Sequence, residues 1–224
     1  MNLLAIETSS NACSVALQAG ESLSDKHVVE PREHTRILVP MIDELLQNAG
    51  VALPDLDAVV LGNGPGSFIG MRIGASVAQG LCYGAGLKIV PVSSLAAIAA
   101  EAIEAQGADK VLVAQDARMH EVYLVRFCRD ADGLPQASGD EAIRRIGVLD
   151  GLAEEHVAAG DAWQKFPELK AGNREWISRF LEIGVPRASY LLRSGAKALQ
   201  EGRAIAPDAL LLSYIRVKVA ERPA

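Results

Sequence analysis

The sequence contains few cysteines and few aromatic residues, and both shortages limit what the protein can be. Its three cysteines, Cys13, Cys82 and Cys128, are far apart and lie within apolar runs of a chain of 224 residues. An odd number of isolated cysteines argues against a disulfide framework and a cysteine-rich metal site, and it favours a reducing compartment. Aromatic residues make up 4% of the chain, whereas hydrophobic residues make up 50%. The core must therefore be built mainly from alanine, valine and leucine, as is typical of tightly packed α/β proteins.

Long apolar stretches are also missing. No run approaches the roughly 20 apolar residues that a helix needs to cross a membrane. Residues Met1–Leu3 lead directly into a predicted strand, without the charged and apolar regions of a secretory leader. We therefore expect a cytoplasmic protein that has no membrane partner.

Basic residues are outnumbered, and the formal net charge is -6. Residues 1–105 contain five lysines and arginines against eleven acidic residues, whereas residues 106–224 contain seventeen of each. Neither half offers the excess of positive charge with which proteins bind a phosphate backbone. We expect that the chain does not bind nucleic acid on its own.

Motifs of catalysis and of metal binding are absent from the sequence as well. The four histidines form neither a His-x-x-x-His nor a His-Glu-x-x-His pair, the spacings that place two histidine ligands on one helix face. No Gly-x-Ser-x-Gly nucleophile elbow occurs either. The sequence thus predicts no metal site and no catalytic residue.

The hydrophobic pattern predicts alternating groups of strands and helices. Three short runs of β-forming residues, separated by turn residues, predict antiparallel strands in the first thirty positions. The predicted strands are 2–7, 12–18, 23–29, 56–61, 88–92, 111–116, 120–128 and 157–159, and the predicted helices are 34–50, 67–83, 94–106, 148–155 and one after Pro186.

The two halves of the chain resemble each other weakly. Leu4–Ser9 aligns with Val113–Arg118, and in each a strand ends in an acidic residue before a tight turn. Two copies of a βββαβα unit predict an α/β protein with two RNase H-like lobes in tandem, each with a mixed central sheet flanked by helices. This is the architecture of the ASKHA superfamily, which includes actin and Hsp70. We assign residues 1–106 to the N-terminal lobe and 107–224 to the second lobe, with the option that the C-terminal segment packs back on the first.

In that superfamily, each lobe contributes an Asp-x-Gly hairpin that holds phosphate and metal. The corresponding turns here contain Glu7 and Thr8 in the first lobe and Asp116 and Arg118 in the second. Neither turn has the glycine that lets a backbone approach a phosphate closely. We interpret both as vestigial phosphate turns and expect no cofactor on the chain alone. The sequence leaves open whether Arg118 pairs with Asp116 or with the phosphate of a ligand.

A glycine-rich segment, Gly62–Gly70, joins a buried strand to a helix and offers free backbone N–H groups. It matches neither a Walker A loop nor a dinucleotide-binding fingerprint. Small residues recur at every fourth position, namely Gly66, Gly70, Gly74 and Ala78. An interior glycine costs a helix about 1 kcal/mol relative to alanine, so close packing must offset it. That packing is either within the lobe or against another subunit, and we favour the subunit.

Five segments, taken together, have the pattern of one known family. They are Leu4–Leu17, Glu33–Ile42, Gly62–Gly74, Pro91–Ala97 and Asp116–Tyr123. In combination they resemble the bacterial TsaB family, also called YeaZ. The resemblance is strong as far as the last of these segments and loose after it.

The resemblance implies an accessory subunit and not an enzyme. Members of the family bind TsaD, and with TsaE they support transfer of a threonylcarbamoyl group to the adenosine next to the anticodon, in tRNAs that read codons beginning with A. The resemblance also implies a homodimer when the chain is alone, tRNA contact only through the complex, and ATP or ADP, if bound, at the complex interface. The alternative is an enzyme, either a glycoprotease-like hydrolase or a small ASKHA ATPase, and the missing metal pair and the altered turns argue against both.

The family's heterodimer is implied to use the two long helices of the N-terminal lobe. We therefore expect a partner interface that draws on both helices. Its expected residues are Leu38, Met41, Ile42 and Leu45 on the first helix, with Gly66, Gly70, Gly74 and Ala78 at the second.

Overall fold

A computed structural model describes residues 1–30 and 32–215 of the protein. It contains two β-sheets with helices packed beside them. The elements of the first half are β1 (Asn2–Glu7), β2 (Cys13–Ala19), β3 (Ser22–Val28), α1 (His34–Ala49), β4 (Ala58–Gly62), α2 (Phe68–Ala85), β5 (Ile89–Val92) and α3 (Ser94–Gln106). Those of the second half are β6 (Lys110–Arg118), β7 (Glu121–Arg129), β8 (Pro135–Ala137), β9 (Ala142–Arg145), β10 (His156–Ala159), α4 (Ala162–Lys165), α5 (Pro167–Gly172), β11 (Ile177–Phe180) and α6 (Leu192–Gln200).

The first sheet has the strand order β3-β2-β1-β4-β5. Strand β1 is antiparallel to β2 and parallel to β4, so that Leu4 lies opposite Leu17 on one side and Val59 on the other. Strands β1 and β4 are buried on both faces, which explains why their sequences are continuous apolar runs without alternation. Helices α1 and α2 pack on one face of this sheet.

The ends of the helices follow their sequence signals. Gly50 ends α1 in the left-handed conformation, with φ of 63°, as a glycine allows without a steric cost. The Ser67 hydroxyl accepts a hydrogen bond from the Gly70 amide at the start of α2. Ser93 accepts two amide hydrogen bonds at the start of α3. These caps fix where the chain leaves each strand and enters the helix that follows.

The second sheet repeats the arrangement of the first. Its strand order is β11-β10-β6-β7-β8, and β9 also pairs with β7. Strands β6 and β7 are antiparallel, β10 is parallel to β6, and β11 is parallel to β10. The short strands β8 and β9 together take the place of a third antiparallel strand. The predicted α/β fold with two tandem lobes is therefore confirmed.

The predicted helix at 148–155 is wrong. The segment has no regular structure, because Gly147 and Gly151 adopt positive φ angles of 153° and 77°. The buried side chain of Asn173 holds it instead. The Asn173 amide oxygen accepts a hydrogen bond from the backbone N–H of Leu149 at 2.7 Å, and its amide nitrogen donates to the Gly147 carbonyl at 2.8 Å.

Two segments pack against the sheet of the opposite half of the chain. Helix α3, assigned to residues 1–106, buries Ile98 and Ile103 against β6 and β7 of the second sheet. The C-terminal segment buries Leu191 and Leu192 against β1, β4 and β5 of the first sheet. These contacts cross the assigned boundary in both directions and hold the two lobes together around a shared cleft.

Candidate functional site

A cleft of about 390 Å³ separates the two lobes where the chain turns between strands. Ser9 lines it from the β1–β2 turn, Gly66 from the glycine-rich segment, and Asp116 and Arg118 from the β6–β7 turn. The fold thus brings together the two turns that the sequence pairs as vestigial phosphate turns. Their side chains, however, make contacts that differ between the two lobes.

Glu7 and Thr8 have structural contacts in the first turn and do not line the cleft. The buried Glu7 carboxylate accepts a hydrogen bond from the Ser9 amide at 2.6 Å, and its second oxygen has no partner within the described residues. Burial raises the pKa of Glu7, an effect only partly offset by its hydrogen bonds. The Thr8 hydroxyl donates to the Gly70 carbonyl at 2.8 Å. Both side chains therefore fix the turn against its own lobe.

Asp116 is held in a compact group of charges in the second turn. Its carboxylate accepts hydrogen bonds from Lys165 at 3.1 Å and from the Arg118 side chain at 3.3 Å, and its amide donates to Asp161 at 2.8 Å. Burial alone would lower the pKa of Lys165, but its pairs with Asp161 and Asp116 raise it overall. Two acids and two bases balance each other, so a phosphate would have to displace existing pairs.

Lys165 and Asp161 are functional candidates that the sequence does not reveal. Lys165 lies 49 positions from Asp116, and only the packing of α4 beside β6 brings the two together. Of the two options for Arg118, the structure contains the pair with Asp116, and the contact with a ligand phosphate stays a prediction. The backbone there adopts positive φ, 63° at Arg118, which turns the chain sharply without the missing glycine.

The expectation that the stripe of small residues contacts another subunit needs a correction, because the stripe faces the interior of its own lobe. A Cβ atom on Gly66 would overlap the Ser9 carbonyl, one on Gly70 would overlap the Thr8 carbonyl, and one on Gly74 would overlap the Thr8 hydroxyl. Ala78 has no exposed surface. The missing side chains let α2 approach the β1–β2 turn, and they are not available to another subunit in this conformation.

The four residues expected to form the interface on α1 also belong to the core. Leu38, Met41, Ile42 and Leu45 are at most 6% exposed and pack on the first sheet. Their spacing along the helix marks the face that is buried, and the same spacing fits the packing of a single lobe. Of these four, only Leu38 also borders the outer faces of α1 and α2, whose other residues are different.

Those outer faces form an apolar groove of about 430 Å³, named here the α1–α2 groove. It is shaped by side chains from both helices. They are His34, Thr35, Leu38, Val39, Phe68, Ile69, Arg72, Ile73, Ser76 and Val77. Ile69 is 69% exposed, Val39 is 52% exposed and Phe68 is 41% exposed. Such a continuous apolar patch on a water-exposed surface is typical of a site that binds another protein.

The sequence at the start of α2 contains a pattern that indicates this groove. Phe68 and Ile69 follow the capping residue Ser67 directly, and they are large apolar residues at a helix terminus that is rich in glycine. At the other side of the groove, buried His34 fixes the start of α1, because its ring nitrogen donates to the Ala12 carbonyl at 3.1 Å. One side of the groove is therefore fixed by the hydrogen bond of His34, whereas the apolar side chains at the start of α2 are exposed.

Two further findings concern the described part of the chain. No helix in it is both long and apolar enough to span a membrane. Among the same residues, no group of three or more histidine, cysteine and acidic side chains is placed to hold a metal ion.

Sequence comparisons find one family model and several relatives that are named for tRNA threonylcarbamoyladenosine formation. A family model described as "TsaD: tRNA N6-adenosine threonylcarbamoyltransferase" matches residues 27–204. The chain is 37% identical over 224 residues to the tRNA threonylcarbamoyladenosine biosynthesis protein TsaB of Escherichia coli K12, covering 98% of this chain and 96% of that protein. It is 46% identical over 130 residues to the Haemophilus influenzae protein of the same name, covering 58% of this chain and 55% of that protein.

Solved structures of similar proteins share the whole fold. YeaZ from Pseudomonas aeruginosa superimposes with a TM-score of 0.85 at 34% identity, covering 95% of this chain and 99% of that one. A Pseudomonas aeruginosa protein described as similar to the peptidase YeaZ gives a TM-score of 0.86 at 34% identity, covering 96% of this chain and 99% of that one.

Proposed function

The chain belongs to the TsaB family of tRNA threonylcarbamoyladenosine biosynthesis proteins, and on this basis we propose that it is a non-catalytic subunit that binds TsaD. In this role it supports transfer of the threonylcarbamoyl group to the adenosine next to the anticodon, with TsaE joining the assembled pair. The chain acts in the cytoplasm, where the tRNAs that the complex modifies are.

The observation that carries the proposal is the α1–α2 groove. Its walls expose Val39, Phe68 and Ile69, and burying such side chains on association is favourable by roughly 25 cal/mol per Å² of apolar surface. The outer faces of two neighbouring helices can accept a helix or a helix pair of another subunit. When TsaD is absent, the same surface serves a homodimer of this chain, which TsaD must displace.

The contacts in the cleft support an accessory role. Asp116 is paired with Lys165 and Arg118, and Glu7 is buried behind its turn. No pair of side chains in these turns is left to position a phosphate and a metal together. We propose that the chain binds no nucleotide on its own, and that ATP or ADP in the assembly lies at the complex interface.

The test is to mix the purified chain with its cognate TsaD and measure mass by light scattering during size-exclusion chromatography. The proposal predicts a heterodimer, and it predicts that TsaD and TsaE modify tRNA from threonylcarbamoyl-adenylate only when the chain is added. The proposal is rejected if no complex forms or if modification proceeds equally well without the chain. Peptidase activity of the chain alone would favour the hydrolase alternative.

A further inference from the structure

Three side chains stack beside the α1–α2 groove, and two of them, Phe68 and Arg72, line it. The Arg72 guanidinium lies over the Phe68 ring, with its central carbon 3.2 Å from the ring centroid. The same carbon is 5.3 Å from the centroid of Tyr214, and the two rings are 5.6 Å apart at an angle of 40°. Cations above aromatic faces are held electrostatically. Arg72 is therefore restrained although its helix position is exposed to water.

Tyr214 lies beside Arg72 because the segment of residues 207–215 is held against the first lobe. The side chain of Gln79 donates to the Pro207 carbonyl at 2.8 Å, and that of Asn63 donates to the Leu211 carbonyl at 3.0 Å. Leu210 is buried in the core beneath α2. The segment thus runs along α2 and sets the Tyr214 ring beside Arg72, at the edge of the groove.

The charge of Arg72 is not neutralised within the described part of the chain. The ion pairs there involve other cations, and the contacts of the Arg72 guanidinium are with the two aromatic rings. Stacking occupies the flat faces of a guanidinium and leaves the N–H groups at its edge free to donate. A partner that covers the groove would also take these donors out of water, at a cost unless an acceptor meets them.

We propose that Arg72 receives a carboxylate from the partner, and that Tyr214 is a positioning residue that holds the guanidinium for it. The inference rests on the proposed binding of TsaD and specifies its chemistry. The segment that fills the groove presents apolar side chains to Val39 and Ile69 and an aspartate or glutamate to Arg72. A bidentate pair at the end of an apolar groove fixes the direction in which the partner binds.

The test measures affinity for the cognate TsaD, and its salt dependence, for the wild-type chain and four variants. Arg72→Ala should weaken binding about tenfold or more and flatten the salt dependence, because a charge pair is lost. Lys88→Ala removes an exposed charge beyond the end of α2 and should leave both quantities unchanged. Tyr214→Ala should weaken binding by a factor of about two to five, the size expected for an exposed cation–π contact. Tyr214→Phe keeps the ring and should bind like wild type.

The outcomes separate the two proposals. If the wild-type chain does not bind TsaD, the proposed function and the inference both fail. If wild type binds and Arg72→Ala has the same affinity and the same salt dependence, only the carboxylate contact is overturned. Equal binding by Tyr214→Ala and Tyr214→Phe would overturn the positioning role. Circular dichroism of each variant should match wild type, because alanine is a good helix former at position 72.

Discussion

The Thr8 hydroxyl donates a hydrogen bond to the Gly70 carbonyl across 2.8 Å, and this contact locks the start of α2 onto the β1–β2 turn. The carbonyl of Thr8 in turn lies where a Cβ atom of residue 70 would be. Only a glycine permits the approach. The start of α2 therefore packs directly against the β1–β2 turn.

We expect Gly70→Ala to destabilise the fold by about 1–3 kcal/mol, because the added methyl group overlaps a backbone carbonyl that has little room to move. For a chain of this size, each kcal/mol lowers the melting temperature by about 2–4 °C. Thermal unfolding followed by circular dichroism measures the change.

Gly80→Ala is the matched control for that substitution. Gly80 lies in the same helix, and nothing would meet a Cβ atom there within 4 Å. The variant should gain up to about 1 kcal/mol from helix propensity. If both variants gain stability alike, the contact of Gly70 with Thr8 does not exclude a side chain at position 70, and the expected destabilisation is wrong. By the same argument Gly74→Leu should destabilise the fold, because a Cβ atom at position 74 would overlap the Thr8 hydroxyl.

We expect Glu7→Gln to become more stable relative to wild type as the pH rises. Burial raises the pKa of Glu7 above its ordinary value of 4.5, so the folded state keeps the proton after the unfolded chain has released it. Below the pKa that Glu7 has in the unfolded chain, the group is protonated in both states and does not lower the free energy of unfolding of the wild type. That free energy decreases as the pH rises from the unfolded-state pKa through the folded-state pKa.

Urea unfolding of both proteins between pH 4 and pH 8 measures this difference, because that range begins below the ordinary pKa of a glutamate and extends well above it. The amide keeps the acceptor for the Ser9 N–H. Its new N–H groups do not titrate, so the pH dependence of the difference reports the charge of Glu7. A constant difference in the free energy of unfolding across this range would show that Glu7 does not carry the expected pKa shift.

The elements of the fold were largely predictable, whereas the partners of particular side chains were not. Helix α3 was predicted at its observed bounds, residues 94–106, and the structure shows Ser93 as its capping residue. A small-residue stripe indicates close approach but not the surface that approaches, and so Gly70 was assigned to another subunit. The pairing of Lys165 with Asp116 depends on packing between distant segments, which local patterns do not encode.

The purified chain should not hydrolyse ATP, because the acidic residue of its second turn is already paired with Lys165 and Arg118. Turnover is measured by phosphate release with Mg²⁺, and again with added zinc or iron. Activity above roughly 1 s⁻¹, an ordinary enzyme rate, that disappears in Asp116→Ala would contradict this expectation.

The chain alone should bind tRNA weakly, since its first 105 residues are acidic and the rest carry no net charge. Binding tighter than the non-specific range, roughly 10⁻⁶ to 10⁻⁴ M at physiological salt, is expected only for the complex with its partners. A filter-binding titration with the isolated chain checks this, and sub-micromolar affinity would be inconsistent with it.

Calorimetric titration of cognate TsaD with Ile69→Asp measures whether the outer face of α1 and α2 binds TsaD. The substitution places a charge on an exposed wall of the groove, where it should leave the fold intact. Leu23→Asp, at another exposed apolar residue on the edge strand β3, is the control. If this face binds TsaD, Ile69→Asp should lose at least tenfold in affinity, about 1.4 kcal/mol, and Leu23→Asp should lose none. Wild-type affinity in a folded Ile69→Asp protein would contradict binding at this face.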